Sequence, residues 1–119
     1  MGKHNEFGKL GEEKAAVFLQ QKGYAIRARN YRYLKAEIDI IAQKGNILAV
    51  VEVKSRSAPF LGKLSDSVNQ KKMKLLVMAA DHFVNERHLD VEVRFDLITV
   101  LQKGNKLEVQ HTQDAFYHF

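Results

Sequence analysis

"EIDIIAQKGNILAVVEVKS", residues 37–55, is the stretch that decides how this chain folds. Two runs rich in Ile and Val flank Lys44-Gly45-Asn46. β-branched runs split by such a turn signal read as two antiparallel strands, residues 36–43 and 47–55. If Gly45 and Asn46 form a two-residue hairpin turn, Lys44 faces Ile47. Counting outward then places Asp39 opposite Glu52 and Glu37 opposite Lys54. Glu52 and Lys54 alternate with valines and so share one face of their strand.

Working outward, residues 6–21 have helical periodicity, with Glu12, Ala15, Ala16 and Leu19 on one side and Gly23 as the stop. Residues 24–33 read as a strand. Residues 57–67 hold Pro59, Gly62 and Ser65 and read as a loop. Asn69 is an N-cap for a helix to about Arg87, with Ser65 and Ser67 as earlier options. Its apolar stripe is Val68, Leu75, Leu76, Ala79 and Phe83. Residues 91–101 and 106–111 are two more strands around Lys103-Gly104-Asn105, and the tail 112–119 is too short to assign. The order α-β-β-β-α-β-β predicts a meander of three strands, then a helix leading to a strand parallel to the third. Ile38, Ile40 and Ile41, Val50, Val51 and Val53, and Phe95, Leu97 and Ile98 put apolar groups on both faces of the central strands. Such strands are covered by helices on both sides, so the charges on them are expected to be partly buried.

Directly opposed carboxylates in a half-buried sheet destabilise it. Either one takes a proton or a cation sits between them. A hard divalent ion suits Asp39 and Glu52, because Mg²⁺ takes one or two carboxylates and completes its shell with water and substrate phosphate. The carbonyl of Val53 is a third candidate oxygen. Lys54 would then stand beside the ion, placed to orient or deprotonate water or to stabilise charge on a phosphate. Alternatively, Glu37, Glu52 and Lys54 form cross-strand ion pairs on a solvated face and Asp39 is a bystander.

At 45% hydrophobic and 28% charged, the chain can build a core, and 119 residues suffice for one domain, residues 1–119. The absence of cysteine excludes disulfides and thiolate chemistry and fits a reducing cytoplasm. No apolar run serves as a signal peptide or membrane span. The net charge of +5 makes nucleic acid the first partner to consider.

Asp39 followed by Glu52-Val53-Lys54 resembles the PD-(D/E)xK nuclease signature of the restriction-endonuclease-like fold. That fold is an α/β architecture with an α-β-β-β-α-β core and a mixed sheet flanked by helices. The chain more closely resembles the YraN family, small bacterial proteins described as endonuclease-like. The resemblance runs through Gly8, Gly11-Glu12, Ala15, Leu19, Gly23, Asn30-Tyr31-Arg32, Glu37-Ile38-Asp39, Val51 to Arg56, Lys72, Arg94-Phe95-Asp96 and Asp114-Ala115-Phe116. It departs at Ile38, where the signature has proline, and at Ala36, where glycine is common. Glu12 and the acidic core are also similar to archaeal Holliday-junction resolvases, whose dimers bring a homodimer into view. The resemblance implies a Mg²⁺- or Mn²⁺-dependent nuclease acting on DNA, with Asp39 and Glu52 as metal ligands, Lys54 as the catalytic lysine and Glu12 supporting the site. The alternative is a nucleic-acid-binding module on a nuclease fold that does not cut.

Around that site, Lys72 either reaches a phosphate beside the helix start or lays its stem on the core with its amine in water. Ser55 and Arg56 belong at the rim, where Arg56 suits a phosphate or is a plain surface charge. Arg32, with Arg27, Arg29 and Lys35, either tracks a nucleic-acid backbone or protects an edge strand. Asp96 reads as structural. The five histidines have no metal-ligand spacing.

Overall fold

The computed structural model describes residues 3–57 and 69–116. The expected loop, including Pro59, lies outside these apart from Ser57, as does Val68. Two helices and five strands follow the expected order: α1 Lys3–Gln21, β1 Ala25–Tyr33, β2 Ala36–Lys44, β3 Ile47–Ser57, α2 Gln70–Glu86, β4 Glu92–Lys103 and β5 Lys106–Thr112. The helix α1 begins before the periodic apolar face does, and β3 runs to Ser57, beyond the expected end. Among the described residues no helix is long and apolar enough to cross a membrane.

The strands lie side by side in chain order, antiparallel except for the parallel β3–β4 pair. The β2–β3 hairpin has the expected register, from Lys44↔Ile47 to Ile40↔Val51. Gly45, with φ of 61°, supplies the left-handed backbone that such a turn needs.

Each sheet face carries its own core. Ala15, Ala16 and Leu19 of α1 pack against Ile40, Val51 and Ile98. Met73, Leu76 and Phe83 of α2 pack against Ile38, Ile41 and Val50. Phe83 meets Tyr31 edge to face at 5.3 Å, and truncating a fully buried Phe costs about 3–5 kcal/mol. Asn69 caps α2 by accepting the Lys72 backbone N–H at 2.8 Å, a contact worth about 1 kcal/mol. At Gly11 α1 lies close against β3: a Cβ there would run into Ser55 Oγ.

One detail of β2 was not expected. Ile38 and Ile40 are two residues apart, a spacing that puts side chains on the same face. Yet Ile38 belongs to the α2 core and Ile40 to the α1 core. The strand reverses its facing at Asp39. Across from it, Asn30 has φ of 52° between Arg29 and Tyr31, which pair with Ile40 and Ile38. Asparagine tolerates that conformation better than most residues.

Candidate functional site

The reversal at Asp39 coincides with the end of the β2–β3 ladder. The last paired residues are Ile40 and Val51. Past them, Asp39 Oδ2 accepts the Val53 backbone N–H at 2.8 Å, so a side chain takes the place of a ladder carbonyl. The open strand ends leave a cavity of ≈ 230 Å³ on the α2 side, whose lining includes Lys35, Glu37, Asp39, Glu52 and Lys72.

Glu52 is only 6% exposed. Its Oε1 lies 3.2 Å from Lys54 Nζ and 2.8 Å from Lys72 Nζ. Two ammonium groups thus balance one buried carboxylate, as a charge withdrawn from water requires. Burial opposes the charge on Lys72, but the hydrogen bond and the charge of Glu52 outweigh it and hold its pKa above the ordinary value. Asp39 goes the other way. Burial first, then the charge of Glu52, raise its pKa from 3.8 to about 7; Glu12 adds to this, while the Val53 N–H and Lys54 oppose it. The acidic pair is therefore electrostatically costly at neutral pH.

Glu12 projects from α1 toward the other face. It lines a second cavity, ≈ 270 Å³, with Phe7, Gly8, Val53, Lys54, Ser55 and Arg56. Lys54 belongs to this lining while its Nζ reaches Glu52, so it links the two sides of β3. Arg56 donates to the Ser55 carbonyl at 2.8 Å. Arg32 lies 2.7 Å from Glu37, its partner across β1 and β2. That corrects the expected facing of Glu37 and Lys54. Because the β2–β3 ladder stops at Ile40, Glu37 pairs toward β1 and Lys54 turns to Glu52. Strand β1 is a sheet edge with Arg27, Arg29 and Arg32 exposed, the arrangement that charge protection of an edge produces.

A divalent cation suits this donor set in kind. Asp39 and Glu52 offer hard carboxylate oxygens, and the raised Asp39 pKa marks a place where positive charge would be stabilising. Among the described residues no group of three or more His, Asp or Glu side chains is placed to hold a metal.

A second polar cluster escaped the sequence reading. Asp96 is fully buried and accepts from Arg94 Nε and Nη2, both at 2.9 Å, and from the Asp114 backbone N–H at 3.0 Å. His111 Nε2 lies 2.8 Å from it. Tyr24 OH accepts from Arg94 at 2.6 Å. Burial raises the Asp96 pKa, but His111, Arg94 and the Asp114 N–H outweigh it and hold it below the usual carboxylate range. The one available signal was an aspartate in an apolar strand; its partner His111 is remote in sequence but lies on the neighbouring strand.

Comparison with known proteins gives a family. Residues 11–100 match the model of "Uncharacterised protein family UPF0102". A UPF0102 protein of Christiangramia forsetii is 50% identical over 119 residues, covering 100% of both chains. One from Flavobacterium psychrophilum is 49% identical over the same span, again with 100% of both covered. Another from Phocaeicola vulgatus is 42% identical over 117 residues, 98% of this chain and 97% of its own. With Asp39, Glu52, Lys54 and Lys72 all inside the matched region, the chain belongs to the uncharacterised protein family UPF0102, the YraN family that its residues resemble.

Proposed function

We propose that this protein is a metal-dependent nuclease hydrolysing nucleic-acid phosphodiesters, DNA foremost, on a restriction-endonuclease-like fold. One observation carries the proposal. Asp39 and Glu52 come together where the β2–β3 ladder ends, with Lys54 Nζ 3.2 Å from Glu52. The mixed five-stranded sheet with a helix on each face is compatible with that fold.

Asp39 and Glu52, with the Val53 carbonyl, would hold Mg²⁺ or Mn²⁺. Such an ion polarises the phosphoryl group and makes water a better nucleophile at neutral pH. Lys54 orients the attacking water and balances charge on the phosphate. Glu12, across β3, contributes negative potential that keeps Asp39 responsive to a cation. Ser55 and Arg56 hold the neighbouring backbone at the rim, and Arg32 meets it farther out. The net charge of +5 favours a polyanionic substrate.

A second reading has its own observation. Glu52 already holds two ammonium groups, so its charge is balanced without a metal. A nucleic-acid-binding module that does not cut fits that balance as well.

Nicking of supercoiled or branched DNA in Mn²⁺ separates the two. The wild type is expected to nick, and Asp39→Asn and Lys54→Ala to lose about 100-fold or more, the scale of a lost acid–base or charge-stabilising group. Equal traces of cutting in all three proteins mark contamination and overturn the enzyme reading.

A further inference from the structure

Lys72 has a place in the site that neither the acidic pair nor Lys54 accounts for. It enters from α2, across the cavity from Asp39, and its Nζ makes the shorter of the two ion pairs to Glu52, 2.8 Å against 3.2 Å. Both ammonium groups fall on the same oxygen, Oε1. A divalent ion on that carboxylate would meet two ammonium charges at contact distance, and like charges so close in a half-buried site repel strongly. Binding of the ion therefore favours the departure of one of them.

The surroundings select which. Lys54 sits on the same strand as Glu52, and its side chain is 17% exposed. The Lys72 side chain is 40% exposed and borders a cavity of ≈ 230 Å³. Its backbone is pinned by the Asn69 cap, so the freedom lies in the four-carbon stem.

We propose that Lys72 is the resident counter-ion of Glu52, competing with the divalent cation for that carboxylate, and that it swings off Glu52 toward the substrate phosphate when the ion binds. This rests on the metal-dependent reading above. It makes Lys72 a positioning residue with two stations: it neutralises Glu52 in the free protein and faces the phosphate in the loaded one. It also predicts that metal and polyanion bind cooperatively, since a phosphate draws away the ammonium that blocks the ion.

Calorimetric titration of Mn²⁺ into the wild type, Lys72→Met and Lys72→Arg tests it. Lys72→Met is expected to bind Mn²⁺ roughly tenfold more tightly than the wild type, the scale of one removed charge contact near a protein surface. Lys72→Arg, which keeps the charge, is expected to stay within about twofold of the wild type on the same reasoning. Damage to the fold lowers affinity and does not raise it, so a gain reports the removal of the ammonium from the site. Equal or weaker binding by Lys72→Met overturns the competition and leaves the metal reading standing. No Mn²⁺ binding by any of the three overturns both.

Discussion

Replacing Asp39 by Asn is expected to stabilise the free protein while removing its metal site. In the unfolded chain Asp39 loses its proton near 3.8, but in the fold it keeps it until about 7. Between those values the folded state binds the extra proton, so the stability of the wild type falls as pH rises through the window. Above about 7 the full penalty is present. The gap from 3.8 to about 7, at about 1.4 kcal/mol per pH unit, sets a ceiling of about 4 kcal/mol. Water reaching the half-buried carboxylate screens part of this, and about 2–3 kcal/mol is the expected gain for Asp39→Asn at pH 8. Near pH 4 the gain should shrink below about 1 kcal/mol, because the folded carboxyl is then protonated and the unfolded one has only begun to lose its proton. Asn keeps an oxygen to accept the Val53 N–H, so the strand geometry survives. With no tryptophan in the chain, urea titration followed by far-UV circular dichroism at the two pH values is the suitable assay. Mn²⁺ at about 100 times its Kd should stabilise the wild type by about 2.7 kcal/mol and leave Asp39→Asn unmoved. A variant less stable than the wild type at pH 8, or a difference that does not change with pH, refutes the reasoning.

Further outcomes follow from other parts of the molecule. Gly11→Ala should lose about 1–2 kcal/mol despite a gain in helix propensity, because its Cβ meets Ser55, whereas Gly8→Ala, with no described atom within 4 Å, should gain about 0.5–1 kcal/mol; urea midpoints separate them. Asp96→Ala should cost about 3–5 kcal/mol by leaving Arg94 without its buried partner. Since the folded Asp96 pKa is lowered from 3.8, its contribution is present above about pH 4 and lost in acid, opposite in sign to that of Asp39; denaturation of both variants across pH reads the contrast. Arg32→Ala should leave the melting temperature unchanged, as its partner Glu37 is itself exposed. If Arg32 meets a backbone phosphate, the slope of log affinity for DNA against log salt should fall by about one.

Much of this arrangement is legible in the chain, for identifiable reasons. Lys44-Gly45-Asn46 sets the hairpin register, which holds as far as Ile40↔Val51; the expected Asp39–Glu52 pair lies one step beyond the ladder, where the two carboxylates share a cavity without pairing in register. The helical spacing of Ala15, Ala16 and Leu19 places Glu12 toward the sheet, while Glu13 faces solvent and pairs with Arg29. The reversal at Asp39 is not legible, because period two predicts one face for Ile38 and Ile40 and only the loss of the ladder breaks it. That loss also sends Glu37 to Arg32 and Lys54 to Glu52. Lys72 sits on the apolar stripe of its helix, where a snorkelling stem and a buried ion pair look alike until Glu52 is seen opposite. Asp96 and His111 meet through the β4–β5 pairing, a long-range contact with no local pattern.

The most direct test of the metal site is anomalous scattering from a crystal soaked in Mn²⁺. A peak bound by the carboxylates of Asp39 and Glu52, with Lys72 displaced from Glu52, is the predicted result. Saturating Mn²⁺ with no peak between those two side chains, and Lys72 still on Glu52 Oε1, would contradict it.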